Sequence, residues 1–155
     1  MNILQPGPGV GGHCIAVDPW FIVSADPENS RLIRTAREVN DAKPGHVIAE
    51  VKTAVEGIEA PVIAALGLAF KANIDDTRES PAVEIVRRLA LENPRARILV
   101  GRSFPGAKLP DELSPLPNVS SVATNDAVAA ADAVVLLVDH DAFREIRPEQ
   151  LAGKA

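Results

Sequence analysis

PVIAALGLAFKANIDDTRESPAVEIVRRLAL, residues 61–91, decides the class of fold. Pro61–Leu68 is a short apolar run bounded by Pro and Gly, the signature of a buried strand. Pro81–Leu91 is amphipathic at helical spacing. Ser80 stands at its N-cap, and Pro81 at its first position, where a missing N–H costs nothing. The same alternation continues outward. Arg97–Val100 and Val119–Ala123 read as strands and Asn125–Ala131 as an Ala-rich helix. Ala133–Val138 (AVVLLV) is a continuous apolar run of the kind found in parallel strands buried on both faces. Ala142–Leu151 is expected to be a final short helix, and Pro105–Pro117 a surface loop. Strands alternating with helices imply an α/β fold, a parallel sheet flanked by helices.

Upstream of Pro61 the period changes. Residues 19–57 read as helical, with Leu32, Ile33, Ala36, Val39, Val47, Ile48, Val51, Ala54 and Val55 recurring on one face. Pro44-Gly45 is expected to kink or divide this helix. Trp20 and Phe21 read as core anchors at its start. A stripe of this length packs either on the downstream domain or on a second copy. It exceeds what one small α/β domain needs, which favours a homodimer built on Asn29–Val55.

Bulk properties narrow the function. The chain has 155 residues, 46% hydrophobic and 24% charged, enough for one domain with a real core. Aromatic residues are 3% with no Tyr, and the net charge is −5, so neither base-stacking nor phosphate-backbone binding is expected. A single Cys forms no internal disulfide, which suits a reducing compartment. No basic-then-apolar leader and no run of membrane-spanning length are visible, so a cytoplasmic protein with no membrane partner is expected.

Two segments carry the chemistry. Residues 5–18 read QPGPGVGGHCIAVD, with four glycines and two prolines just before Cys14. Glycine lets backbone approach a ligand closely, and its N–H groups can cradle anionic oxygens. A thiol behind such a loop can attack what the loop holds. Asp18, four residues on, can orient a water or the thiol if residues 14–18 begin a helix. The alternative is that Cys14 is a small buried hydrophobe. The second segment, LGLAFKANIDDTRESP (66–81), joins a strand to a helix at the sheet edge where α/β ligands bind. Lys71 and Arg78 suit a diphosphate or charged nucleotide. Asp75, Asp76 and Glu79 are interleaved with them, so a plain surface charge cluster is the competing reading. His46 and His140 lack a partner at metal-ligand spacing, so no metal site is expected.

GPGVGGHC with Asp four residues later, followed by FKxxxDDTRESP, resembles the UDP-glucose/GDP-mannose dehydrogenase family. The resemblance extends to AREVND (36–41) and VVLLVDH (134–140). PGPGVGGHCIAVDPWFI is most similar to members that oxidise UDP-N-acetylmannosamine. The resemblance implies a catalytic-Cys loop and central helical dimerisation region at 1–57, and a Rossmann-like UDP-sugar-binding domain at 58–155. It also implies parts this sequence does not show: a GxGxxG Rossmann domain, a Lys and an Asn upstream of the Cys, and a basic residue near the C-terminus. A C-terminal piece of a larger enzyme is therefore expected. By the same resemblance Cys14 is the nucleophile and Asp18 positions or activates water. Gln5, Pro6, Gly7, Pro8, Gly9, Val10 and Gly11 line a UDP-sugar, and Phe70 and Lys71 contact it, with Lys71 near the diphosphate. Cys14, Ile15, Ala16 and Val17 lie beside the nicotinamide of NAD, and Arg78 reaches that cofactor. His13 is placed either to contact an N-acetyl group or to serve structurally.

Overall fold

A computed structural model describes residues 7–104 and 106–155. In chain order the elements are α1 (Asp18–Ala25), α2 (Arg31–Ala54), β1 (Val62–Leu66), α3 (Pro81–Glu92), β2 (Arg97–Gly101), β3 (Val119–Val122), α4 (Thr124–Ala130) and β4 (Ala133–Leu136). Two short 3-10 helices follow, Asp141–Glu145 and Pro148–Leu151. The strands form one parallel sheet in the order β3-β2-β1-β4. The α/β class and its helix-flanked parallel sheet are as the alternation implied.

The register explains why β1 is apolar throughout. Ile63 pairs with Ile98 and Ala133, Ala64 with Leu99 and Val134, and Ala65 with Val100 and Val135. Side chains alternate across a strand. Ile63, Ala65, Ile98 and Val100 therefore share a core with Val83, Val86, Leu89 and Ala90 of α3. Ala64 and Leu99 face the other way, onto Ala127 of α4 and Ala131. α3 begins as expected, the Ser80 hydroxyl accepting the Ala82 N–H at 3.2 Å.

The helical region departs from expectation in four ways. It is two helices, because Asp26 ends α1. The Asp26 carboxylate accepts from the Asn29 backbone at 3.2 Å and the Asn29 side chain at 2.9 Å, and Pro27 between them has no N–H to donate. Conversely, α2 runs unbroken through Pro44, so Pro44-Gly45 does not divide it. Phe21 is 69% exposed and anchors no core, while Trp20 is half-buried. The apolar stripe itself splits. Val47, Ile48, Val51 and Val55 join the α3 core, whereas Leu32 is 82% and Val39 64% exposed. Lys52 bonds Glu92 at 2.6 Å, tying the C-terminal ends of α2 and α3 together.

The final helix expected at Ala142–Leu151 is instead the two 3-10 segments. Pro148 forces the preceding Arg147 into extended backbone (φ −85°, ψ 148°), which no α-helix can contain. β4 is also shorter than its apolar run. Leu137 and Val138 both turn their N–H groups onto the Leu66 carbonyl, at 2.8 and 3.3 Å. Ala155 returns beside β4, donating to the Asp132 carbonyl at 3.0 Å and accepting the Val134 N–H at 2.9 Å.

Strand order positions the site. The chain passes from β1 through α3 to β2 and β3, then crosses by α4 to β4 on the other side of β1. Neighbouring connections thus diverge between β1 and β4. In parallel sheets a crevice opens at that point, outside the carboxyl ends of the strands.

Candidate functional site

β1 ends at Leu66 and Gly67 makes the turn with φ +87°. A Cβ there would lie 2.7 Å from Val138, so only glycine lets the chain pass this close to the end of β4. Phe70 then donates its N–H to the Asp76 carbonyl at 3.0 Å, closing residues 70–76 into a loop. Asn73, at φ 61°, clasps this loop to the chain after β4. Its amide donates to Asp141 Oδ2 at 2.8 Å, its Oδ1 accepts the Asp141 N–H at 2.9 Å, and its backbone N–H donates to His140 Nδ1 at 3.0 Å. Lys71 is exposed at the rim.

The glycine loop docks onto this segment. Gly12 donates its N–H to the Glu79 carbonyl at 3.3 Å. A Cβ on Gly11 would stand 2.2 Å from that same oxygen, and one on Gly12 would stand 3.1 Å from the Phe70 ring. From the other side α2 holds the loop. Asn40 Oδ1 accepts the Val10 N–H at 2.8 Å, and its amide donates to the Val10 carbonyl at 3.3 Å. Arg37, buried and ion-paired with Asp41, donates to the Ile15 carbonyl at 3.4 Å. Beyond Gly12 the chain forms a turn, and the Cys14 carbonyl accepts the Asp18 N–H at 2.8 Å as α1 begins. Cys14 and Asp18 are therefore one turn apart, and both are exposed.

Between the two loops lies a cleft of about 170 Å³, at the carboxyl ends of β1 and β4. Gly7, Pro8 and Gly9 form one wall, Phe70 and Lys71 another, and Val138 and Asp139 a third. The structure thus brings Gly7–Gly9 together with Phe70 and Lys71, and sets the Cys14 turn two residues past their junction. Val10, Gly11, Cys14, Ile15, Ala16, Val17, Asp18 and Arg78 do not line this cleft. Gln5 and Pro6 lie outside the described residues. A larger groove of about 380 Å³ beside β4 is walled by Leu66, Val134, Leu136, Phe143 and Leu151, with Lys154 as its one cation. Among the described residues its lining is almost wholly apolar, which does not suit a nucleotide.

Arg78 forks onto Asp76, Nε to Oδ1 at 2.9 Å and Nη2 to Oδ2 at 2.5 Å. Those hydrogen bonds hold the Asp76 carboxyl down at about 2. Part of the acid–base cluster is therefore a surface ion pair, as the competing reading had it. Sequence reasoning missed Asn40, Arg37 and Asn73. Each is an ordinary polar residue until folding lays it beside a backbone group 22 to 68 positions away.

Among the described residues no group of three His, Cys, Asp or Glu side chains is placed to hold a metal ion. Among them, too, no helix is long and apolar enough to cross a membrane.

Comparison with known proteins agrees with this architecture. The profile for the UDP-glucose/GDP-mannose dehydrogenase family, UDP binding domain, matches residues 64–155, and that for the family's central domain matches residues 1–42. The chain is 55% identical to an NDP-N-acetyl-D-galactosaminuronic acid dehydrogenase of Ralstonia solanacearum, over 99% of this chain and 35% of the relative. It is 48% identical to a UDP-N-acetyl-D-mannosamine dehydrogenase of Campylobacter jejuni, over 99% of this chain and 37% of that protein. The solved UDP-N-acetyl-mannosamine dehydrogenase of S. aureus superposes with a TM-score of 0.73 at 35% identity, covering 99% of this chain and 34% of that one. The chain spans about a third of the length of the curated relatives it matches. The profile match over residues 64–155, more than half of the chain, makes this chain a member of the UDP-glucose/GDP-mannose dehydrogenase family.

Proposed function

We propose that this chain is the part of an NAD-dependent nucleotide-sugar 6-dehydrogenase that carries the nucleophile and the UDP-sugar-binding domain, converting UDP-N-acetylmannosamine to UDP-N-acetylmannosaminuronate. The observation that carries this reading is the docking of the glycine loop onto the Phe70–Lys71 loop at the switch-point cleft, with Cys14 just beyond. On this reading residues 1–57 supply the cysteine loop and dimer helices, and residues 58–155 bind the sugar nucleotide. Lys71 faces the diphosphate, with Phe70 and the 5–11 backbone along the sugar. The exposed Cys14–Val17 turn and the exposed Arg78 fit a cofactor bound mainly by a further domain. NAD bound there would accept hydride from C6.

The rest is the work of this chain. Cys14, as thiolate, adds to the C6 aldehyde carbon to give a thiohemiacetal. Transfer of the remaining C6 hydride to a second NAD, with the hydroxyl proton lost to solvent, would leave a thioester. Asp18 orients the water that hydrolyses it, releasing the carboxylate and the thiol. A thiol suits both steps because it is a strong nucleophile and a good leaving group.

In the full-length enzyme, Cys14→Ala is expected to abolish acid formation while leaving UDP-sugar affinity near wild type. Normal acid production by this variant would refute the assignment. The 155-residue chain alone is expected to produce no NADH. The 55% identical Ralstonia relative favours a second substrate, an N-acetylgalactosamine-type nucleotide sugar. Initial rates on a panel of UDP-sugars separate the two. A homodimer is proposed on the exposed half of the helical region, where Phe21, Ile22, Leu32 and Val39 stand uncovered. Light scattering that finds a monomer at high concentration would refute it.

A further inference from the structure

His140 is 1% exposed, yet it lies two residues past the cleft wall formed by Val138. The Phe104 and Phe143 rings pack edge-on against it, at 5.3 and 5.5 Å between centroids. Its Nδ1 accepts the Asn73 N–H at 3.0 Å, so Nδ1 carries no proton in this arrangement. Among the described residues Nε2 is buried with no partner. Asn73 sits at φ 61° two residues after Lys71. A non-glycine residue in that region is held there by its bonds, and all three that Asn73 makes across the gap end on His140 or Asp141.

We propose that His140 is a positioning residue for nucleotide-sugar binding: its unprotonated Nδ1 anchors the Asn73 backbone and so holds the Lys71 loop against the cleft. The proposal rests on the reading of Lys71 given above. Its consequence is a pH dependence of binding that passes through Nδ1. A proton on Nδ1 turns an acceptor into a donor facing an N–H, and the anchor is lost. Burial lowers the His140 pKa, while Asp139, Asp75 and Asp141 act in the opposite direction. Arg144 faces two of those carboxylates, Asp141 at 3.3 Å and Asp139 at 3.7 Å. The loop therefore has its His140 anchor at neutral pH and, as pH falls through the His140 titration, loses that bond and is held by the two to Asp141 alone.

The test is calorimetric titration of the full-length enzyme with UDP-N-acetylmannosamine, whose diphosphate does not titrate near neutrality, between pH 5 and 8. Wild-type affinity should be flat at high pH and fall about threefold to tenfold at low pH, the worth of one hydrogen bond. His140→Asn, whose Oδ1 replaces Nδ1 as a non-titrating acceptor, should bind like wild type at pH 8 and lose the acid limb. His140→Leu should bind about threefold to tenfold more weakly throughout. Lys71→Ala is the internal control. If it weakens binding while both His140 variants keep the wild-type profile, the positioning role is overturned and the Lys71 reading stands. If Lys71→Ala binds as tightly as wild type, both fall. An acid limb that persists unchanged in His140→Asn also overturns the proposal.

Discussion

Gly11→Ala is the sharpest perturbation of the junction between the two loops. A Cβ at this position would sit 2.2 Å from the Glu79 carbonyl oxygen and 2.6 Å from Pro81 Cδ. Both belong to the rigid entry of α3, so neither moves out of the way as a flexible side chain would. The loop must lift instead. Lifting forfeits the Gly12 N–H bond to Glu79 and the reciprocal pair between Val10 and Asn40. At about 0.5–1.5 kcal/mol for each of three hydrogen bonds, undocking costs roughly 1.5–4.5 kcal/mol. If that docking sets Cys14 over the cleft, kcat/KM of the full-length enzyme should fall roughly ten- to a thousandfold. Stability should fall too, by up to that amount, because the bonds are lost from the folded state and are absent from the unfolded one. Steady-state NADH formation and a melting curve measure both quantities. A variant with wild-type kcat/KM would show that the docked loop does not position the nucleophile.

Other expectations are simpler. Lys71→Ala should weaken UDP-sugar binding by roughly 1.5–3 kcal/mol at most, less at high salt because the residue is exposed, whereas Arg78→Ala should weaken NAD and spare the UDP-sugar; calorimetry that finds equal losses of one ligand would contradict that division. Gly45→Ala should raise stability by about 0.5–1 kcal/mol in denaturant melts, since the position is mid-helix and the new Cβ meets only Arg88 Nη1, at 3.9 Å. The Asp76 carboxyl is depressed from 3.8 to about 2 by Arg78. Its pairing is therefore fully present above pH about 4 and lost as pH falls through 2. Carboxyl NMR should place that titration near 2 in wild type and higher in Arg78→Ala, short of 3.8 because the backbone N–H at position 78 still donates to Asp76 Oδ1; an unchanged Asp76 titration would mean the ion pair does not form in solution.

The sheet was legible in the sequence because burial on both faces writes itself into composition. PVIAALGL reads as a fully buried parallel strand and β1 is one, whereas AVVLLV, which reads the same way, forms the edge strand β4 with Leu136 54% exposed; the Ser80-Pro81 start of α3 carries its own local hydrogen-bond logic. The two site motifs were legible for the same reason: glycines that must admit close backbone, and cations at a strand-to-helix turn. Helical periodicity, in contrast, reports only that a face is apolar. It does not say what covers the face. Folding alone settled that Val47–Val55 packs on α3 while Leu32, Val39 and Phe21 remain bare, and that Pro44 leaves α2 whole. The roles of Asn40, Arg37, Asn73 and His140 were likewise silent, although Arg37, Asn40 and His140 fall within AREVND and VVLLVDH. Their value lies in hydrogen bonds to backbone groups far away in sequence, and a long-range bond between common polar residues has no local spacing to betray it. The sequence by itself determined the layers of this protein and the chemistry of its two loops. Only the tertiary structure decided that the loops meet, because the crossing from β3 to β4 brings the end of β4 beside that of β1 and opens the cleft between them.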